Sequence, residues 1–133
     1  MVWVMLLQPN TYVLIIMPDA PTRSSARIFR EAGLEVRQEV RSAQGLRRIL
    51  ERDPGAIVIA EEMPALDGLM VLPLLRRLTK APVLMVGDGG EMPIVDALSG
   101  GADMYMTRPI NPIEMLARLR ALLRRSESNR IDP

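Results

Sequence analysis

The chain contains neither cysteine nor histidine. Without cysteine there is no disulfide framework, no thiolate metal site and no thiol nucleophile. Without histidine the commonest general base and the commonest transition-metal ligand are missing together. Zinc, haem and Ser-His-Asp chemistry are therefore closed to it, and catalysis would have to rest on carboxylates with a hard cation or on Lys and Arg alone. A dominant charge is also missing: 17 Lys plus Arg against 16 Asp plus Glu leave a net charge of +1. That balance calls for neither nucleic acid nor an anionic membrane as partner. Long apolar runs are absent too. The N-terminal Val2-Trp3-Val4-Met5-Leu6-Leu7 stops at Gln8-Pro9-Asn10, far short of the ~20 apolar residues of a spanning helix. It lacks the basic stretch that opens a signal peptide. Residues 1–11 are left as an extension, read as an edge strand, a dimer contact or a segment outside the fold. The aliphatic neighbours of Trp3 favour an ordered one.

What is present fits one soluble domain: 133 residues, 48% apolar and 25% charged, an ordinary balance for a single core. Residues 12–17 and 56–60 are unbroken apolar runs, the mark of strands buried on both faces. Residues 82–86 give a fourth strand and 104–106 a short fifth, while 34–40 alternates like a half-exposed edge strand. Between them lie helical patterns. One is capped by Thr22 and stopped by Gly33, one opens at Ser42 with Leu46, Ile49 and Leu50 inward, and one spans 68–78 with Leu69, Leu72, Leu75 and Leu78 inward. Pro73 should kink or shorten that third helix. A short helix covers 91–99, and Asn111 caps a long one over 112–125 with Ile113, Leu116, Leu119 and Leu123 inward. Residues 126–133 read as a polar tail. Five β-α units predict a three-layer sandwich with a parallel sheet, and the working site of such sheets lies at the carboxyl ends of the strands.

The loops at those ends carry a resemblance. Met63-Pro64-Ala65-Leu66-Asp67-Gly68-Leu69 resembles the Met-Pro-x-Met-Asp-Gly loop of response regulator receiver domains. The segment from Gly101 to Ile110, Gly-Ala-Asp-Met-Tyr-Met-Thr-Arg-Pro-Ile, is similar to their Gly-Ala-Asp-x-Tyr-x-x-Lys-Pro-Phe. The run from Glu114 to Arg125 resembles the last helix of the OmpR-like transcription-factor subfamily. The resemblance covers residues 12–125 and implies the flavodoxin-like (βα)5 fold with strand order 2-1-3-4-5.

Receivers accept a phosphoryl group on an Asp four residues before the loop proline. Here that position is Ala60, whose methyl group can form no acyl phosphate. The acidic pair that holds Mg²⁺ is matched by Met17 and Pro18, which offer no side-chain oxygen. The switch Ser or Thr is matched by Gly87, and the invariant-type Lys by Arg108. These degenerate positions imply a pseudo-receiver: not an enzyme, with no cofactor or metal. Asp19, Glu61 and Glu62 remain nearby as acids that could clamp Arg108. Glu61 is expected to point away from the pocket if its strand continues. Gly87-Asp88-Gly89-Gly90 lacks phosphate-loop spacing and reads as a flexible loop.

The expected function is a cytoplasmic, phosphorylation-independent interaction module in signal transduction, linked to transcription regulation. The subfamily resemblance implies a homodimer through the fourth helix, fifth strand and fifth helix. Its charges would be Asp96, Asp103, Glu114, Arg118 and Arg120, set around Ile94, Leu98 and Met115. Tyr105 matches the family's aromatic switch residue, whose ring turns in on activation. A DNA-binding effector could follow in a longer chain, led by Arg118, Arg120, Arg124, Arg125 and Arg130. Direct DNA binding by that run is weakly supported, since it has no aromatic interleaving. Two alternatives stand beside this reading: an active receiver phosphorylated on a displaced acid, and a small-ligand sensor using a pocket made apolar by Met17, Ala60 and Gly87.

Overall fold

Three apolar runs with no exposed residue build the middle of the sheet: β1 (Val13–Ile16), β3 (Ala56–Ala60) and β4 (Val83–Gly87). Side chains alternate across a strand, so burial on both faces requires a layer of helices on each side. In this computed structural model, which describes residues 12–18, 21–63 and 67–131, those layers are present. The two outer strands, β2 (Val36–Glu39) and β5 (Met104–Thr107), are only partly covered. All neighbours are parallel, in the order β2-β1-β3-β4-β5.

The helices are α1 (Pro21–Glu31), α2 (Ser42–Glu51), α3 (Gly68–Leu78), α4 (Glu91–Ser99) and α5 (Pro112–Ile131). Helices α1 and α5 pack together on one side, while α2 packs on α3 and α3 on α4 on the other. The core joins Phe29 of α1, Leu72 and Leu75 of α3, and Met115 and Leu119 of α5 to the central strands. Gly33, with φ 96°, ends α1: its N–H donates to the Arg30 carbonyl and that of Leu34 to Phe29. Asn111 caps α5 as expected, its side-chain oxygen accepting from the N–H groups of Ile113 (2.9 Å) and Glu114 (3.2 Å).

Several sequence expectations are corrected. Helix α1 begins at Pro21, so Thr22 lies inside the first turn instead of capping it; proline suits the first helical position because its missing N–H has no partner there. Helix α3 keeps the expected bounds 68–78 with Pro73 inside it, so the proline does not shorten it. Helix α5 continues to Ile131, six residues past the expected end at 125, because its last stretch contains no Gly or Pro to stop it. The phase of α5 is also shifted. Ile113 is 68% exposed, and Met115 is fully buried with Leu119, Leu122 and Leu123. Leu50 and Leu78, expected inward, are exposed near the ends of their helices. Residues 1–11, whose reading was left open, and Asp19 lie outside the described residues. Among the described residues no helix is long and apolar enough to cross a membrane.

Candidate functional site

The carboxyl ends of the strands bring the sequence-nominated positions together. Met17 follows β1 and Ala60 ends β3, both fully buried; Gly87 ends β4 and Arg108 follows β5. The register aligns these ends. Ala60 pairs with Val86 and Gly87 with Thr107, and the Arg108 N–H donates to the Gly87 carbonyl at 2.8 Å. The Glu61 N–H donates to Val86 at 2.7 Å and so carries the β3–β4 pairing one residue further. The chain then folds back, for the Gly68 N–H donates to the Glu61 carbonyl at 2.8 Å.

Glu61 is buried, and its side chain does not turn away from the sheet end. The Tyr105 hydroxyl donates to Glu61 Oε1 at 2.9 Å and accepts from the Gly89 N–H at 3.1 Å. The chain bends at Glu61 instead of continuing as strand, which removes the alternation on which the outward expectation rested. A Cβ at Gly87 would stand 2.0 Å from the Tyr105 oxygen, so the space that Gly87 leaves is filled by that hydroxyl. The apolar ligand pocket expected from Met17, Ala60 and Gly87 is thus closed on the Gly87 side. Burial raises the Tyr105 hydroxyl above its ordinary ionisation range; the Gly89 N–H acts against this, and the bond to Glu61 adds to it.

Arg108 reaches Asp88, with Nη1 3.3 Å from Oδ1. The clamp was expected on Glu61, Glu62 or Asp19; Glu61 instead receives Tyr105, Glu62 is exposed, and Asp19 lies outside the described residues. The Arg108–Pro109 peptide is cis. The donor set here does not fit the Mg²⁺ that the resemblance implies. Met17 offers a buried thioether and Ala60 a methyl group, and no acidic cluster placed to hold a metal occurs among the described residues.

On the nominated interaction face, Asp96 and Leu98 are exposed and Ile94 is half-buried. Asp103 accepts from the Val83 N–H at 2.8 Å, fastening β5 to β4. Glu114 and Arg118 pair within α5 at 3.0 Å, and Arg120 is half-buried. Met115, nominated for the apolar patch, belongs to the core, whereas Ile113 on α5 and Met92 and Val95 on α4 are exposed. Elsewhere, a polar hollow of about 340 Å³ is lined by Glu39, Gln44, Arg47, Arg48 and Glu51.

Comparison with known proteins settles the family. The model of the response regulator receiver domain matches residues 13–120. This chain belongs to that family. It is 37% identical over 119 residues to the transcriptional regulatory protein PrrA of Mycobacterium tuberculosis, covering 87% of this chain and 51% of the relative. It is 38% identical over 122 residues to the DNA-binding dual master transcriptional regulator RpaA of Synechocystis, covering 86% and 50%. The receiver therefore spans about half the length of the curated relatives it matches. Among solved structures, a Francisella response regulator receiver domain is 27% identical with TM-score 0.80, covering 88% of this chain and 99% of that one. A CheY-like receiver from Methanospirillum hungatei shares the fold at TM-score 0.84 and 24% identity, covering 90% and 98%. The Glu61–Tyr105 contact went unnoticed in the sequence. Its only trace there was a glycine at the end of β4 beside a tyrosine on β5.

Proposed function

We propose that this receiver works without accepting phosphate, as an interaction module that pairs with a second copy through α4, β5 and α5. The observation that carries the reading is Ala60. It ends β3, fully buried, where the family resemblance places the phosphoacceptor, and a methyl group offers no nucleophilic oxygen. The neighbouring Met17 supplies no ligand for a hard cation, so no catalytic role is assigned. The pairing surface is Leu98, Val95 and Met92 on α4 with Ile113 on α5, an exposed apolar set beside the charges of Asp96, Glu114 and Arg118; self-complementary twofold contacts are the usual form of homodimers. The relatives named above are transcriptional regulators, and one is described as DNA-binding. This points to a cytoplasmic role in transcription regulation, with an effector on the same chain or a partner.

Incubation with a small phosphodonor and Mg²⁺, followed by intact mass, tests the first half; the mass is expected to stay unchanged. A gain of one phosphoryl unit would revive phosphorylation on a displaced acid and overturn the reading. Light scattering tests the second half, with twice the mass of one chain expected.

A further inference from the structure

The emptiest position at the strand ends is also the most tightly fitted. Gly87 has no side chain, and the atom nearest to where one would begin is the Tyr105 hydroxyl oxygen, 2.0 Å away. The next contacts are the Tyr105 ring at 2.9 Å and Glu61 Cβ at 3.1 Å. No real Cβ tolerates the first distance, so a side chain at this position would force the Tyr105 hydroxyl out of the place it occupies. Once inward, the hydroxyl is fully engaged: it donates to the buried Glu61 carboxylate at 2.9 Å and accepts from the Gly89 N–H at 3.1 Å. Gly89 reaches it with φ 88°, a left-handed backbone that glycine adopts without strain.

We propose that Glu61, Gly87 and Tyr105 form a standing lock that holds the tyrosine inward and fixes the entrance of α4 against β5. Glu61 supplies the acceptor from the end of β3, Gly87 supplies the space from the end of β4, and Tyr105 is the bolt from β5. Gly89 and Gly90 lead directly into Glu91, the first residue of α4. The bond from the Gly89 N–H therefore ties the start of α4, with its exposed Met92, Val95 and Leu98, to the bolt. A ligand that moved Tyr105 outward would have to strip a buried carboxylate of its donor and leave the space at Gly87 unfilled, and both are unfavourable. The surface of α4 is thereby set by the chain's own residues. The lock stands apart from the phosphate question: it would hold even if another acid accepted a phosphoryl group.

The test uses the full chain labelled with 3-fluorotyrosine. There are two tyrosines, so Tyr12→Phe assigns the fluorine resonances. In the unaltered protein, Tyr105 should give one resonance displaced from free fluorotyrosine, and the Gly89 amide should be protected from exchange. Glu61→Gln keeps an acceptor oxygen and should preserve both signals. Gly87→Ala should move the Tyr105 resonance towards the free value and speed Gly89 exchange about fivefold to tenfold, the scale of one modest hydrogen bond. A Gly87→Ala protein with both signals unchanged overturns the lock, as does an unaltered protein whose Tyr105 shows two exchanging resonances. Should Gly87→Ala fail to fold, Glu61→Leu decides by the same readouts: displaced signals support the lock, unchanged ones overturn it. The phosphodonor experiment is separate, so failure of one reading is distinguishable from failure of the other.

Discussion

A Cβ built at Gly68 would stand 2.2 Å from the carbonyl oxygen of Ala60. The obstacle is backbone at the end of a buried strand, not the far end of a flexible side chain, so neither partner can swing aside. Gly68 opens α3 and its N–H donates to the Glu61 carbonyl at 2.8 Å. Alanine there would gain at most about 1 kcal/mol of helix propensity. The clash should cost about 2–3 kcal/mol, as overpacked sites do, and it outweighs the propensity. Gly68→Ala is expected to lower stability in chemical denaturation by the difference, roughly 1–2 kcal/mol. An unchanged midpoint would show that the turn from β3 into α3 yields easily.

Two residues on α5 should respond in opposite ways. Met115 is fully buried and Ile113 is 68% exposed. Met115→Ala removes core contacts and should destabilise the fold by about 2–4 kcal/mol while leaving any self-association to the folded fraction. Ile113→Glu, with Leu98→Glu, should leave the unfolding midpoint within about 0.5 kcal/mol and convert a dimer to a monomer in light scattering. If the charged variants stay dimeric, pairing runs through another face.

The contrast shows what the sequence could and could not disclose. The number of strands and helices followed from apolar runs and turn residues, because a doubly buried strand reads as an unbroken apolar run, whereas the strand order came from the family resemblance. The loop motifs located the strand ends. Helical phase was less legible. In the first three turns of α5 the large apolar residues stand at 113, 115, 116, 119, 122 and 123, so a stripe begun at Ile113 and one begun at Met115 fit the periodicity about equally, and only packing on α1 and the sheet decides between them. The contact between Glu61 and Tyr105 was out of reach for another reason. It joins residues 44 apart in sequence, and it depends on a bend that local alternation does not foresee. Glycine at 87 read as a lost hydroxyl, whereas the structure gives it a steric use.

Ala60→Asp places a carboxylate at the end of β3 beside a fully buried Met17. Met17 offers that charge no hydrogen-bond donor, and an unpaired buried carboxylate is costly. The variant is expected to lose about 3 kcal/mol of stability at neutral pH, and added Mg²⁺ should not restore it, since no acidic cluster placed to hold a metal occurs among the described residues. Recovery of the melting temperature on adding Mg²⁺ would mean that a cation site survives, and with it the case for phosphorylation.

Stability should fall at both ends of the pH scale through groups that meet at Arg52. Its guanidinium lies 4.6 Å over the Tyr12 ring and bonds Glu35 at 2.5 Å, while its carbonyl accepts from the Tyr12 hydroxyl at 2.7 Å. That bond to Arg52 lowers the Glu35 carboxyl below its ordinary 4.5. The folded state therefore releases the proton more readily, so the contribution is complete above 4.5 and disappears as pH falls through the lowered value. The pair is substantially exposed, which keeps the effect under ~1 kcal/mol. Tyr12 moves the opposite way: burial raises its hydroxyl above 10.0, against the attraction of Arg52. The folded state holds that proton more tightly, so stability is complete below 10.0 and is lost as pH rises through the raised value. Urea titrations across pH should then show Glu35→Gln flattening the acid limb only. Tyr12→Phe should cost about 1 kcal/mol at neutral pH, the worth of its hydrogen bonds, and flatten part of the alkaline limb. Tyr105, whose hydroxyl is also raised, contributes to the slope that remains there. An alkaline limb unaltered by Tyr12→Phe would remove Tyr12 from this account.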